Sequence, residues 1–111
     1  MFRGVNAETL KGHLDLLLLA VVAQSPGHGY AIAEALRTKT DAMVDLGEGT
    51  LYPALHRLER AGMISGRWAE VGGRRRRVYR LTAKGERSLT EKHREWDVFA
   101  RTVYSVVGGR P

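Results

Sequence analysis

Positively charged side chains are concentrated in one part of this sequence. Residues 74–77 are four consecutive arginines, and residues 57–87 contain ten lysine or arginine side chains against three glutamates. The whole chain has 18 basic and 12 acidic side chains, so the rest of it is close to neutral. A localised cluster of guanidinium groups is typical of surfaces that bind phosphate groups. The cluster therefore predicts an anionic partner; a solvated charged turn is the simpler alternative.

The residues that enzymes and metal sites require do not occur in suitable patterns. The sequence has no cysteine, and its four histidines show neither HxxxH nor HExxH spacing. The GxG triplets at 27–29 and 47–49 are isolated and too short to indicate a nucleotide-binding loop. We therefore predict no catalytic residue, no metal and no cofactor.

Three helices are predicted before the arginines. Residues 8–23 have leucines and valines at helical spacing, and further leucines off that stripe suggest contact with a second surface, such as a partner chain. Residues 29–38 predict a short second helix. Residues 50–62 predict a third, with Pro53 in its first turn. At 100° per residue its three leucines lie within about 60° of one another and face away from His56, Arg57 and Arg60.

The arginines fall in a predicted β-hairpin. Residues 64–70 and 78–82 have the composition of strands, and residues 71–74 supply a turn with two glycines. The arginines would then lie at the tip and at the start of the returning strand. Trp68 is expected to cover the base of the hairpin.

A last helix is predicted after Thr82, which is a suitable N-cap. Leu89, Trp96 and Val103 recur every seven residues there. This partial heptad pattern is long for a core helix in so small a domain and favours a dimerisation helix.

The order of elements predicts the fold class. Helices followed by a basic hairpin indicate a mainly α protein with a small β-hairpin (α+β), a winged helix-turn-helix with a C-terminal dimerisation helix. Residues 1–82 would form the DNA-binding domain and residues 83–111 the dimerisation helix, as one compact unit. The longest apolar run, residues 14–23, is too short to span a membrane, and no signal-peptide pattern occurs. We therefore expect a cytoplasmic protein without a membrane partner.

Four segments resemble the PadR-type transcriptional regulators, in the order found in that family. They are LKGHLDLLLLAVV (10–22), HGYAIAEAL (28–36), GTLYPALHRLERAGMI (49–64) and GGRRRRVYRLTAKG (72–85). Because only about 25 residues follow, the chain is similar to the short PadR subclass with one C-terminal helix. The family often has a small hydroxyl residue where this chain has His13, which we interpret as an exposed or interfacial histidine. The resemblance implies a homodimer, usually a repressor, that binds a pseudo-palindromic operator in double-stranded DNA.

Candidate DNA contacts lie on the third helix and on the hairpin. His56 and Arg57 are the candidates for contact with base edges, since arginine favours guanine and histidine can donate or accept. Phosphate or minor-groove contacts are predicted for the remaining candidates, where helix capping, packing or simple solvation are the alternatives: Thr50, Tyr52, Arg60, Arg74, Arg75 and Arg76.

Candidate interface residues lie on the first and last helices. Dimer or ligand contacts are predicted for Leu14, Leu18, Leu89, Trp96, Phe99 and Val103. Several short PadR members bind flat aromatic ligands at the dimer interface, so the resemblance implies a small aromatic effector that stacks on Trp96. Leu14, Asp15, Phe99 and Ala100 would surround that ligand. Packing of Trp96 in the dimer is the alternative.

The leading hypothesis is thus a homodimeric, sequence-specific DNA-binding regulator of the PadR type, a repressor that an aromatic ligand releases. The alternative is a winged-helix adaptor that binds an acidic protein partner through its basic hairpin.

Overall fold

The computed structural model describes residues 4–109 as five helices and three short strands. The elements in chain order are α1 (Ala7–Lys11), α2 (Leu14–Gln24), β1 (Gly27–His28), α3 (Gly29–Lys39), α4 (Glu48–Arg60), β2 (Ile64–Val71), β3 (Arg74–Leu81) and α5 (Ala83–Val107). The predicted fold class is confirmed, since helices dominate and β2 and β3 form the antiparallel hairpin.

The predicted first helix is in fact two helices. Asn6 caps α1 by accepting a hydrogen bond from the amide of Thr9, and α1 ends at Lys11 after five residues, with Gly12 as its C-cap. His13 then has a non-helical backbone conformation and precedes α2. Glycine weakens a helix, and the break lets the chain turn before the apolar run starts. The prediction of one continuous helix over 8–23 was therefore wrong.

The sheet is also larger than the predicted hairpin. β1 pairs antiparallel with β3, so the strand order is β1-β3-β2. β3 begins at Arg74 and not at Val78, so all four consecutive arginines belong to the strand. The turn is thus reduced to Gly72 and Gly73, whose positive φ angles of 60° and 77° suit a tight two-residue hairpin turn.

The core lies where α2, α3, α4 and the base of the hairpin meet. Leu18, Leu55 and Ile64 are completely or almost completely buried there, together with other leucines and valines of the helices. The leucines predicted to form one side of the third helix, Leu51, Leu55 and Leu58, all face this core. Burial of these side chains is the main contribution that holds α4 against the rest of the domain.

The start of α5 is fixed to the hairpin by Thr82. As predicted, Thr82 is the N-cap, and its hydroxyl accepts a hydrogen bond from the amide of Gly85. The same hydroxyl donates to the carbonyl of Gly62 over 2.6 Å. Gly85 is buried so closely against this turn that a Cβ atom there would lie 1.9 Å from the carbonyl oxygen of Met63. The direction in which α5 leaves the domain is therefore set by close backbone packing.

Candidate nucleic-acid interface

Helix α4 presents a polar outer face. It begins at Glu48, two residues earlier than predicted, so Pro53 lies beyond the first turn and removes the amide that would bond to the carbonyl of Gly49. Measured from Leu51 at 100° per residue, His56 and Arg60 lie at about 140° and 180°. Both side chains are exposed. The centre of the outer face therefore combines a hydrogen-bonding imidazole and a guanidinium group.

Arg57 lies at one edge of that face, on the side of α2. Its guanidinium donates a hydrogen bond to the carboxylate of Asp15, and the two groups form an ion pair. The side chain of Arg57 is still 57% exposed. Thr50 is exposed on the same edge of α4. Arg57 is thus held at the border of the outer face, with part of its guanidinium accessible.

Tyr52 lies near the opposite edge and packs on α3. A Cβ atom at Gly29 would lie 2.6 Å from Cε1 of Tyr52, so the ring rests directly on the glycine backbone. Tyr52 remains exposed over 43% of its surface. The absence of a side chain at Gly29 therefore lets α3 and the Tyr52 ring approach closely, which fixes the ring beside the outer face of α4.

The two faces of the hairpin carry different arginines. In the β2–β3 ladder, Arg75 lies opposite Glu70 and Arg77 lies opposite Trp68. Because side chains alternate along a strand, Arg75 and Arg77 share the face that continues into the core through Tyr79. Arg74 and Arg76 lie on the other face. The hairpin thus presents guanidinium groups on both sides.

The face with Arg75 and Arg77 is joined to α4. Arg77 donates a hydrogen bond to the carboxylate of Glu59 on α4, and this bond raises the pKa of the guanidinium above its ordinary value. The guanidinium carbons of Arg75 and Arg77 lie 5.3 and 5.6 Å from the centre of the Trp68 ring. A row of side chains therefore runs from α4 along the hairpin: Glu59, Arg77, Trp68 and Arg75. We call this row the wing row.

The other face of the hairpin adjoins His28. Nδ1 of His28 caps α3 by accepting a hydrogen bond from the amide of Ala31. Burial lowers the pKa of His28, and the positive charge of Arg76 lowers it further. Nε of Arg76 is buried and has no hydrogen-bond partner among the described residues. Arg76 is thus partly enclosed, unlike the exposed Arg74 and Arg75.

The structure places the predicted DNA contacts on α4 and on both faces of the hairpin, and it revises one interpretation. His56, Arg60 and Arg75 lie on or beside the surface formed by α4 and the wing row, whereas Arg74 and Arg76 occupy the far face of the hairpin. Trp68 does not cover the base of the hairpin, because it is 56% exposed and contacts the arginines. The Glu59–Arg77 and Asp15–Arg57 pairs could not be predicted from the sequence, since each joins residues far apart along the chain.

A groove of about 960 Å³ adjoins the edge of α4 that carries Thr50 and Arg57. It is bounded by α1, the start of α2, one edge of α4 and the middle of α5, and it contains Leu14, Asp15, Arg57, Trp96 and Phe99 in its walls. The ring of Trp96 makes an edge-on contact with His13, with 5.1 Å between the ring centres. Ala100, which was expected beside Trp96, does not border this groove.

The residues predicted at an interface are not all accessible. Leu18 is completely buried in the core of the single chain, and Leu14 is 8% exposed. Leu89 is partly buried against the same core. Leu18 therefore has no surface to offer to a partner or a ligand. Trp96, Phe99 and Val103 are exposed on α5.

A helix with a polar outer face beside a basic hairpin defines a winged helix-turn-helix regulator. A sequence model described as the transcriptional regulator PadR-like family matches residues 18–91. The chain belongs to this family of PadR-like transcriptional regulators.

Individual proteins similar to the chain agree with the family. The transcriptional regulator Rv3488 of Mycobacterium tuberculosis is 48% identical over 62 residues, which are 56% of this chain and 55% of that protein. The structure of a transcriptional regulator from Clostridium thermocellum superposes with a TM-score of 0.83 at 30% identity, covering 91% of this chain and 99% of that one. A PadR-like transcriptional regulator from Bacillus cereus gives a TM-score of 0.80 at 28% identity, over 94% and 100% of the two chains.

Metal-ligand clusters and membrane-spanning helices are both absent from the part of the chain that the structure describes. Among residues 4–109 no cluster of three potential metal ligands occurs. Over the same range, no helix is both long and apolar enough to cross a membrane.

Proposed function

We propose that the chain acts in the cytoplasm as a homodimeric repressor that binds a pseudo-palindromic operator. The observation that carries this proposal is the wing row, which joins the basic hairpin to α4 through the Glu59–Arg77 pair. Because the hairpin is tied to the helix, both elements meet a duplex as one surface. In a dimer, two copies of α4 would enter successive major grooves, about 34 Å apart.

The part of the DNA that each residue contacts depends on where the residue lies on this surface. His56 and Arg57 read base edges in the major groove, where an arginine can form two hydrogen bonds to guanine. Thr50, Tyr52 and Arg60 contact the flanking phosphates. Arg74, Arg75 and Arg76 bind phosphates or the adjacent minor groove from the hairpin.

The dimer forms through α5. Trp96, Phe99 and Val103 leave an apolar stripe exposed on a helix that projects from the domain, and valines near its end are exposed as well. Exposed apolar stripes of this kind are typical of association surfaces. A second copy of the chain would cover the stripe and adjoin the groove beside Leu14 and Trp96.

A small aromatic effector binds beside Trp96 and releases the operator. The groove is lined by the indole of Trp96 and the ring of Phe99, whose centres lie 6.3 Å apart. Occupancy changes DNA affinity only if the ligand binds better to one spacing of the two recognition helices than to the other. A planar aromatic dye should therefore lower operator affinity in the wild type, and Trp96→Ala should abolish this effect.

A selection from random duplexes tests the proposal. We expect enrichment of two inverted half-sites whose centres are about 10 base pairs apart. Binding of the selected duplex should be much tighter than that of a scrambled one, with a steep dependence on salt. Addition of the protein should stop transcription from a promoter that contains the selected site.

Two variants distinguish the roles of α4 and the hairpin. Arg57→Ala should weaken the selected duplex by roughly 1–3 kcal/mol more than the scrambled one, because it removes a base contact. Arg75→Ala should weaken binding to the selected duplex and to the scrambled duplex by the same factor. Equal losses on both duplexes from both variants contradict the assignment. Binding to acidic polypeptides but to no duplex would favour the adaptor.

A further inference from the structure

Trp68 is a large aromatic side chain whose position is not explained by the core. It lies in the outer half of β2, opposite Arg77, and more than half of its surface is exposed. Residues before it on the same face, such as Ile64, pack into the core, whereas Trp68 lies beyond the core on a segment rich in arginine. The role of Trp68 must therefore be inferred from the residues that it contacts.

Two guanidinium groups lie close to the Trp68 ring. Arg77 lies directly across the ladder and Arg75 lies diagonally, two residues nearer the tip. Both guanidinium carbons are within the distance at which an aromatic face attracts a cation, at 5.6 and 5.3 Å. Without Trp68, the repulsion between two like charges on one face would favour their separation.

The two arginines differ in what else they contact. Arg77 is paired with Glu59, so its charge is largely compensated and its position is fixed. Arg75 is in no ion pair within residues 4–109, although Glu70 lies opposite it in the ladder. Arg75 is thus the member of the wing row whose full charge is available, and Trp68 is the group that contacts it.

We propose that Trp68 is a positioning residue for DNA binding, which holds the guanidinium of Arg75 on the face of the hairpin that adjoins α4. This inference rests on the proposed function and adds a role within the same surface. An aromatic contact leaves the charge of an arginine intact, whereas a carboxylate would compete with phosphate for its donors. An arginine held in this way also loses less conformational freedom when it binds. Arg75 would therefore bind a phosphate more tightly beside Trp68 than alone.

A double-mutant cycle tests this role on the duplex obtained by selection. The affinity and its salt dependence are measured for the wild type, Trp68→Ala, Arg75→Ala and the double variant. Arg74→Ala and its combination with Trp68→Ala form the control cycle, because Arg74 is the neighbour of Arg75 at the tip but lies on the other face. Thermal unfolding of each variant confirms that the fold is intact.

We expect Trp68→Ala to weaken binding by about two- to fivefold per hairpin, in line with a cation–π contact at an exposed site. Once Arg75 is alanine, loss of Trp68 should change affinity by less than about twofold, whereas its effect should be undiminished in the Arg74→Ala background. Trp68→Phe should restore most of the affinity. Arg75→Ala should reduce the salt slope by about 0.9 for each phosphate that Arg75 neutralises in the wild type.

Independent effects of Trp68 and Arg75 would overturn the inference and leave the proposed function intact. So would a Trp68→Phe variant as weak as Trp68→Ala, since a ring at this position would then have no role. If the wild type binds no selected duplex, the proposed function fails and the positioning role fails with it.

Discussion

Arg57 and Asp15 form an ion pair between α4 and α2, across 42 positions of the sequence. Arg57 is the candidate for contact with guanine, and Asp15 also lies in the wall of the groove that contains Trp96. The pair therefore lies between the proposed DNA surface and the proposed effector site. Because Arg57 is more than half exposed and Asp15 is only partly buried, we expect the pair to contribute less than about 1 kcal/mol to stability.

Asp15→Asn should alter recognition more than stability. Loss of the carboxylate leaves the charge of Arg57 uncompensated, which strengthens attraction to any phosphate and releases the side chain from its fixed position. We expect tighter binding to scrambled DNA and a smaller ratio of specific to nonspecific affinity. Duplex binding at several salt concentrations measures both. The control is Asp41→Asn, which makes the same change of net charge; an identical effect there would show that Asp15 has no particular role.

Gly85→Ala should destabilise the domain. A Cβ atom at this position would lie 1.9 Å from the carbonyl oxygen of Met63, so α5 must shift away from the hairpin. We expect a loss of at least about 1–3 kcal/mol in the free energy of unfolding, the range for overpacking of a tight site. Denaturant unfolding provides the value. Gly12→Ala is the matched control, since no atom lies within 4 Å of a Cβ there, and it should change stability little.

Phe99→Glu should abolish self-association without unfolding the chain. Phe99 is exposed in the single chain, so the charge has little effect on the core, but it would be buried if a second α5 covers the stripe. Sedimentation should show one chain for the variant and two for the wild type. The control is Arg101→Glu. Arg101 lies about 140° from Trp96 around α5, so this variant should remain dimeric. If Phe99→Glu is dimeric as well, the partner does not use this stripe.

Stability should fall as the solution becomes acidic because of His28. Burial, reinforced by Arg76, lowers its pKa from the ordinary value of 6.5, so the unfolded chain binds a proton more readily than the folded one. The stabilisation by the neutral imidazole is therefore complete above pH 6.5 and is lost as the pH falls below that value towards the lowered pKa. His28→Asn keeps an N-cap acceptor and should flatten this part of the pH profile. An unchanged profile in the variant would assign the dependence to other groups.

The regular elements could be predicted from the sequence because their signals are local. The spacing of Leu51, Leu55 and Leu58 predicted which side of α4 is buried, and Thr82 predicted the start of α5. The glycines at 72 and 73 predicted the turn of the hairpin. Each of these signals depends on periodicity or backbone preference within a few residues.

The remaining features depend on pairing between distant segments. β1 has only two residues, and Gly27 and His28 show no strand preference of their own; they are extended because β3 is beside them. The exposure of Trp68 follows from its register opposite Arg77, which no local pattern reveals. The burial of Leu18 depends on the packing of α2 against the other elements of the core. The break between α1 and α2 could not be predicted because Leu10, Leu14 and Leu18 keep a helical spacing across Gly12 and His13.

The central claim is that two chains bind one duplex through α4 and the hairpin of each. Native mass spectrometry of the protein with the selected duplex tests it most directly, because it counts the chains in the complex. We predict a single complex with two chains per duplex, which is lost for a duplex that contains only one half-site. A complex with one chain, or no complex with any duplex while the free protein is monomeric, would contradict the claim.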